Sequence, residues 1–367
     1  MLNVTALLGR TPQARPRAAR APAVLWSCTS RCNLACLHCR SDSSRRHRPE
    51  LSTGEAVAML DDIAALGCPA LIVSGGEPLM RRDLLDVIGE ARARGLPVTL
   101  STNGTLVTQS VARRLAQLGV TRVSVGMDGT GSVHSAFRGR RVAFDRALRG
   151  IRLLRGEGVP VGVAMTLAHS PLSRLCSLME LTREEGIQRA CFQHLVPVGR
   201  GSSRPAVAPG TVRRALDEIF AWAWHGAPCE VVTAGNPADA AALVLWVRRR
   251  DPVRADALEG ILHGAGDGAG RMLVSIGWDG RVRPDQFWPG PELGSVLTQP
   301  LSRIWADPPP ALAELRRRRE DPSGSCAPCR FHHVCGGGLA SRALAAGDLL
   351  QPDPACHLTD EEIGLAA

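Results

Sequence analysis

The sequence predicts an α/β fold, a run of parallel strands joined by crossover helices and followed by a smaller cysteine-bearing unit. Three observations carry this. From Ala23 to about Val198, short β-type runs alternate with helical patterns, and such alternation builds a parallel sheet with helices crossing over it. After Gly201 the pattern changes to a Pro/Gly-punctuated helical region through about residue 265. Four of the twelve cysteines then fall between positions 326 and 356.

The strands are expected at Ala23–Cys28, Ala70–Ser74, Val98–Ser101, Arg122–Gly126, Val159–Leu167 and Ala190–Val196. The first helix carries a capping box, Ser52 with Glu55 three residues on, then Met59, Ile63 and Leu66 on one face and Gly67 as its stop. Leu84, Leu85, Ile88 and Ala91 mark the second, with Gly95 and Pro97 beyond it. Val111, Leu115 and Leu118 form the stripe of the third, and Phe144, Leu148 and Ile151 that of the fourth. The fifth begins after Ser170, with Pro171 at its first position. These apolar stripes cover a sheet. Further on, Met272–Ile276, a turn at Asp279-Gly280 and a return at Val282 read as a hairpin. An acidic helix start, Thr359-Asp360-Glu361-Glu362, follows near the end.

Composition narrows the function classes. Hydrophobic residues at 44% and charged residues at 22% fit a globular protein. No apolar run reaches the ~18 residues of a membrane span. Residues 1–21 lack a basic start and a cleavage site and read as a flexible tail, so a cytoplasmic location is expected. The formal net charge is +9, with no Lys, so that every basic side chain except His is Arg. This is read as a solvated surface or as a grip for a carboxylate-rich substrate, since guanidinium binds carboxylate with two parallel hydrogen bonds; nucleic acid is not expected.

The cysteines carry the chemistry. Cys32-Asn-Leu-Ala-Cys36-Leu-His-Cys39 puts three thiolates in a short loop directly after the first strand. A cubane of four irons wants four ligands, so three leave one iron open. The amino and carboxylate groups of S-adenosylmethionine (SAM) can chelate that iron, and an electron from the cluster then cleaves the sulfonium. Zinc remains the alternative, although a closed zinc site also prefers four ligands. Company comes from the strand ends. Ser74-Gly75-Gly76-Glu77-Pro78 leaves the second strand, where the glycines let backbone approach a ligand and Glu77 can accept from an ammonium. Ser101-Thr102-Asn103-Gly104 ends the third, and Asp128-Gly129 with Arg138-Gly139 follows the fourth, with Asp128 as an acceptor for ribose hydroxyls and Arg138 as a cation for the SAM carboxylate.

In this order the motifs resemble the radical SAM superfamily, over about residues 22–200. The resemblance implies a partial (β/α)6 TIM-type barrel, cluster ligation by Cys32, Cys36 and Cys39, and SAM contacts at Gly75, Gly76, Glu77, Ser101, Asn103 and Arg138. Arg40 stands where many relatives have an aromatic residue, and little effect is expected from it. Cys326-Ala-Pro-Cys329, Cys335 and Cys356 supply four further thiolates, enough for a closed site of iron–sulfur or zinc type. By the same resemblance they form a SPASM or twitch-type domain with one auxiliary [4Fe-4S] cluster, so that two [4Fe-4S] clusters and SAM are the expected cofactors. Cys28, Cys68, Cys176, Cys191 and Cys229 are expected to be buried small hydrophobes. The expected boundaries are a tail over 1–21, the barrel over 22–200, a helical connection over 201–265 and the auxiliary domain over 266–367.

Three longer phrases, Phe192-Gln-His194-Leu-Val-Pro-Val-Gly199-Arg200-Gly201, Arg283-Pro-Asp285-Gln286-Phe287-Trp288 and Asp353-Pro-Ala-Cys356-His-Leu-Thr-Asp-Glu-Glu-Ile363, resemble one branch: the tetrapyrrole-modifying enzymes of haem d1 biosynthesis and of the sirohaem-dependent haem pathway. That branch implies radical attack on propionate side chains of didecarboxysirohaem to give pre-haem d1. The alternatives are a deacetylase or decarboxylating haem synthase of the related pathway, and a peptide-modifying maturase. An electron donor such as flavodoxin or ferredoxin is implied as a partner. Arg200, Arg283 and Arg342 are candidates for gripping substrate carboxylates. His194, at the end of the sixth strand, is a candidate for lining the cavity or binding the substrate iron, with a core histidine as the alternative. Gln193, Arg283, Ser135 and Ala340 depart from the branch, where Tyr, His, Asp and Arg are expected.

Overall fold

The computed structural model describes residues 1–9, 21–46, 48–168, 171–320 and 322–365. Among the described residues, eleven strands form one sheet: β1 Leu2–Asn3, β2 Ala23–Ser27, β3 Leu71–Ser74, β4 Val98–Thr102, β5 Arg122–Gly126, β6 Val161–Leu167, β7 Arg189–His194, β8 Glu230–Ala234, β9 Leu273–Ile276, β10 Arg281–Arg283 and β11 Gly294–Ser295. Their spatial order is β1-β8-β7-β6-β5-β4-β3-β2-β9-β10-β11. From β2 to β8 each strand lies parallel to the next one in sequence. A parallel strand always paired to its successor, with a helix crossing between, winds in one direction. The alternation implied the parallel strands, and the resemblance the partial barrel that they form.

The crossover helices are α2 Thr53–Ala65, α3 Leu84–Ala93, α4 Gln109–Gln117, α5 Gly131–Phe137, α6 Ala143–Gly156 and α7 Pro171–Glu184, after a single-turn α1 at Val4–Leu7. Helix α2 starts on the expected capping box: Ser52 accepts from the Glu55 amide at 3.3 Å while the Glu55 carboxylate accepts from the Ser52 amide at 2.7 Å. It stops at Gly67, whose φ of +76° needs no side chain. The buried faces, such as Met59, Leu60 and Ile63 of α2 or Ala147, Ile151 and Leu154 of α6, join a continuous core with the strand residues.

Two expectations are corrected. The first part of the tail is not a tail: β1 pairs antiparallel with β8, Leu2 opposite Thr233, and Val4 and Leu7 of α1 are buried in the core. A strand of two residues, Leu2 and Asn3, leaves no periodicity to read. Residues 10–20 of that expected tail lie outside the described residues. The helical connection over 201–265 does contain helices, α8 Pro209–Trp224, α9 Ala238–Arg248 and α10 Pro252–Leu262. Between α8 and α9, however, it threads β8, a seventh parallel strand on the barrel. On the other side β9 pairs in parallel with β2, Val24 opposite Val274. The C-terminal unit is thereby hydrogen-bonded to the barrel strand that launches the cysteine loop. The hairpin expected around Asp279-Gly280 is present, with Val282 opposite Ile276. No helix among the described residues is long and apolar enough to cross a membrane.

Candidate functional site

The loop after β2 gathers Cys32, Cys36 and Cys39 in one small apolar cluster with Leu34 and Ala143. Its backbone is fastened from several sides. Cys32 N–H donates to Ser44 O at 2.8 Å, Leu37 N–H to Phe137 O at 3.1 Å, and Arg200 N–H to Cys39 O at 2.9 Å. The sulfurs meet donors rather than carboxylates: Leu34 N–H lies 3.4 Å from Cys32 Sγ, Arg138 Nη1 3.8 Å from Cys36 Sγ, and Ser41 Oγ 3.6 Å from Cys39 Sγ. Burial, with Cys36 and Cys39 acting in the same direction, pushes the Cys32 thiol up to about 11. Burial also raises Cys36, against the pull of Arg138. Two buried thiols and a half-buried third, which would repel one another as thiolates and which lie beside N–H and O–H groups, are a donor set suited to an iron–sulfur cluster, whose cationic irons relieve that repulsion. Among the described residues, no group of three or more His, Cys, Asp or Glu side chains is already arranged to hold a metal ion; the thiols are gathered but not closed.

The strand-end motifs do something other than expected. Gly75 and Gly76 admit backbone, but the backbone is the cysteine loop's own. A Cβ on Gly75, at φ +154°, would stand 2.7 Å from Thr29 O, and one on Gly76 would collide with the Arg31 carbonyl. Gly76 N–H and Glu77 N–H donate to Thr29 O and Arg31 O at 2.8 and 2.7 Å. Glu77, expected to receive an ammonium, is fully buried. Its oxygens accept from Thr102 Oγ1 at 2.6 Å and from Asn103 N–H at 2.7 Å, and burial raises its pKa against those bonds. It ties the turn after β3 to the turn after β4. The Asn103 side chain is likewise engaged, donating to Asn33 Oδ1 at 2.8 Å and accepting from Thr105 Oγ1 at 2.7 Å. Ser101 is half-buried at the end of β4.

Asp128, expected to face ribose, is also fully buried and pairs with Arg138 Nε at 2.7 Å and with His38 at 3.7 Å. Burial works against its charge, yet Arg138 and then His38 hold the carboxyl down to about 2. Arg138 therefore bridges Asp128 and Cys36 and fixes the floor of the site. His38 stacks on Phe137 with ring centroids 4.6 Å apart.

The second set, Cys326, Cys329, Cys335 and Cys356, also comes together in space, each raised thiol feeling the charge of others. Burial pushes Cys326 up to about 11 and Cys335 up to about 12, and raises Cys356. The turn after Cys335 runs through Gly336, Gly337 and Gly338, all with positive φ, around the buried Arg318, which donates to the carbonyls of all three. The expected carboxylate grips are taken. Arg342 is buried and forks onto Asp353 at 2.8 and 2.7 Å. Arg200 holds Asp42 at 2.7 Å and Cys36 O at 3.0 Å, and Arg283 holds Glu292 at 2.9 Å. Of the five cysteines expected in the core, Cys28, Cys68 and Cys191 are buried, Cys229 is half-buried and Cys176 is exposed.

His194 is buried at the end of β7 and bonds Asp239 Oδ2 at 2.9 Å through Nε2. Asp239 was missed by sequence reasoning. Its signal was a lone acid among apolar residues at the start of α9. Its other oxygen bonds Nε2 of His357, the residue after Cys356, at 3.0 Å.

Residues 26–174 match the sequence model of the Radical SAM superfamily. The chain is 38% identical to a pre-haem d1 synthase of Dinoroseobacter shibae, over 97% of this chain and 91% of that one. It is 37% identical to an Fe-coproporphyrin III synthase of Methanosarcina barkeri, over 94% of this chain and 89% of that one. In fold it is similar to Streptococcus suis SuiB bound to S-adenosylmethionine, with a TM-score of 0.75 and 16% identity over 92% of this chain and 78% of SuiB.

Proposed function

The chain belongs to the radical SAM superfamily, and from that premise we propose that it modifies a tetrapyrrole, acting on propionate side chains of didecarboxysirohaem as a pre-haem d1 synthase does. A [4Fe-4S] cluster with SAM bound would supply one-electron cleavage of the sulfonium and, through it, hydrogen abstraction from substrate. Cys32, Cys36 and Cys39 are the residues that would hold the cluster. Arg138 anchors Cys36 while neutralising Asp128, and Glu77 and Asn103 lock the β3 and β4 turns against the cysteine loop. The turns around the first cysteine set are thus bonded to one another by the chain's own side chains, an order that would position a reactive species. Cys326, Cys329, Cys335 and Cys356 would hold an auxiliary [4Fe-4S] cluster, and the β9–β2 pairing and the His194–Asp239–His357 bridge tie the segments that carry them to the barrel.

The observation that supports this substrate class best is the span of the likeness. The match to the pre-haem d1 synthase runs over 97% of this chain, so it includes both cysteine sets rather than the barrel alone. A second reading, removal of acetate side chains on the way to an iron-coproporphyrin, is favoured by the comparable 37% identity to the Fe-coproporphyrin III synthase. Anaerobic turnover with SAM, dithionite and didecarboxysirohaem, read by product mass, separates the two. Loss of mass from the propionates supports the first reading, loss from the acetates the second, and unchanged tetrapyrrole counts against both.

A further inference from the structure

One-electron cleavage of a sulfonium needs that electron from outside the chain, since neither thiols nor SAM supplies it. A donor has to approach the loop of Cys32, Cys36 and Cys39 where the loop meets solvent. Cys32, Leu34 and Cys36 are buried, whereas Ala35 and Leu37 are exposed. Both exposed residues are fastened to the end of α5: Ala35 N–H donates to Arg138 O at 3.3 Å and Leu37 N–H to Phe137 O at 3.1 Å. Between α5 and α6 lies a groove of about 620 Å³ whose lining includes Ser135, Ala136, Arg140, Arg141, Phe144 and Asp145. Arg140 joins this groove to the loop, its Nη1 donating to Asn33 O at 3.2 Å, one residue after Cys32.

The surface here is largely of one sign. From Gly129 to Gly156 the sequence carries seven arginines and a single acid, Asp145. Arg138 is engaged with Asp128 and Arg152 with Glu185, at 2.7 and 2.6 Å. Arg141, Arg146 and Arg149 are exposed, and their side chains make no hydrogen bond or ion pair among the described residues. Arg149 stands one helical turn beyond Asp145, so free positive charge continues along the groove side of α6. Apolar side chains are exposed beside that charge: Leu37 at 40%, Val133, next to the groove residue Ser132, at 50%, and Val142, next to Arg141, at 40%. Three of the eight large hydrophobic side chains exposed among the described residues thus gather at one place. Apolar surface rimmed by charge in this way marks a protein interface rather than scattered exposure.

We propose that the α5–α6 groove, with Leu37, Val133 and Val142 at its margin, is the docking surface for an acidic one-electron donor protein. One electron passes from the reduced partner to the cluster that Cys32, Cys36 and Cys39 would hold; the partner is oxidised by one electron, the cluster is reduced by one, and no bond is made or broken. The unpaired guanidinium groups steer an acidic partner towards the groove, and the apolar side chains hold it at contact. A second basic groove, about 380 Å³, runs past Ala265 and Asp267 near Cys335. Its arginines are engaged with the chain: Arg316 donates to Gly270 O at 2.9 Å and lies over the Trp305 ring, and Arg319 donates to Gly264 O at 2.7 Å. Asp267 and Glu320 on its walls offset their charge. The groove beside the first cysteine set is the better complement to an acidic surface.

The inference rests on cluster ligation by the first cysteine set and is independent of the tetrapyrrole reading. Anaerobically reconstituted, iron-loaded protein is titrated by calorimetry with a flavodoxin and, separately, with a ferredoxin, at low and high salt. SAM cleavage is then followed with each reduced donor and with dithionite. Wild type is expected to bind at least one donor, and more weakly at high salt. The double variant Arg141→Glu with Arg149→Glu is expected to bind it about ten-fold or more weakly. Its 5′-deoxyadenosine formation falls in step with the protein donor and is unchanged with dithionite. If the double variant does not retain iron, Arg146→Glu replaces it. Arg271→Glu, in the second groove, is the control and leaves donor binding at the wild-type level. Wild-type affinity in the double variant, a loss confined to Arg271→Glu, an equal loss with dithionite, or binding of neither donor by wild type overturns the docking surface. Absence of dithionite-driven SAM cleavage in wild type overturns the cluster reading instead.

Discussion

His194 and His357 stack with their ring centroids 6.1 Å apart and 13° between their planes, each bonded through Nε2 to one oxygen of the same buried carboxylate, Asp239. The three residues come from the end of β7, the start of α9 and the position next to Cys356. One carboxylate therefore joins the barrel, the connecting helices and the last cysteine of the second set. Burial opposes the charge of Asp239, but His194 and His357 together hold its carboxyl well below the usual carboxylate range.

Replacing Asp239 by Ala leaves two buried imidazole N–H groups without an acceptor. The expected cost is about 3 kcal/mol or more, read as a lower midpoint in denaturant with iron lost first from the second cysteine set. The sign of the pH dependence follows from the depressed pKa. The contribution of Asp239 is complete above the unfolded-state value near ~4 and is lost as pH falls through the lower folded value. Wild type therefore loses stability more steeply in acid than Asp239→Asn, a difference that acid titrations of the two proteins would resolve.

The two cysteine sets are separable. Exchanging Cys32, Cys36 and Cys39 for Ala is expected to halve the iron from about eight atoms to about four and to abolish 5′-deoxyadenosine formation. Exchanging Cys326, Cys329, Cys335 and Cys356 is expected to halve the iron too, yet leave reductive SAM cleavage measurable. Iron and sulfide assays beside chromatography of the SAM products check both outcomes. Zinc in the second set would appear as iron unchanged by the second exchange.

Glu77→Gln places an amide NH2 against the Asn103 or Thr102 donor. A loss of about 1–3 kcal/mol is expected, together with weaker SAM binding by calorimetry, because the two turns that frame the ligand lose their common acceptor. A variant with wild-type SAM affinity would show that the turns hold without it.

Most of the barrel was legible because each of its first six strands is a β-type run closed by Gly, Pro or a polar turn, and the helices between them carry capped apolar stripes. Strand β8 escaped because five residues between two helices resemble a linker until β7 offers them an edge. The cysteines declared themselves by spacing. The strand-end motifs were found, but their partners were not. Glu77 meets Thr102 and Asn103, and Asn103 meets Asn33, pairings between separate turns that only the closed barrel creates, while Asp128 meets Arg138 across the short helix of its own connection. A residue type announces what it can bond, whereas the fold decides whether the bond goes to a ligand or to the chain. The same holds for Arg342, an apparent carboxylate grip whose carboxylate is the protein's own Asp353.

The central claim is that a radical made beside Cys32, Cys36 and Cys39 is delivered to a tetrapyrrole side chain. The direct measurement is a turnover with didecarboxysirohaem deuterated on its propionates, in the presence of SAM and dithionite, followed by mass analysis of the 5′-deoxyadenosine. Deuterium in the 5′-deoxyadenosine, formed together with altered tetrapyrrole, is the predicted result. Unlabelled 5′-deoxyadenosine beside unchanged substrate would contradict the account.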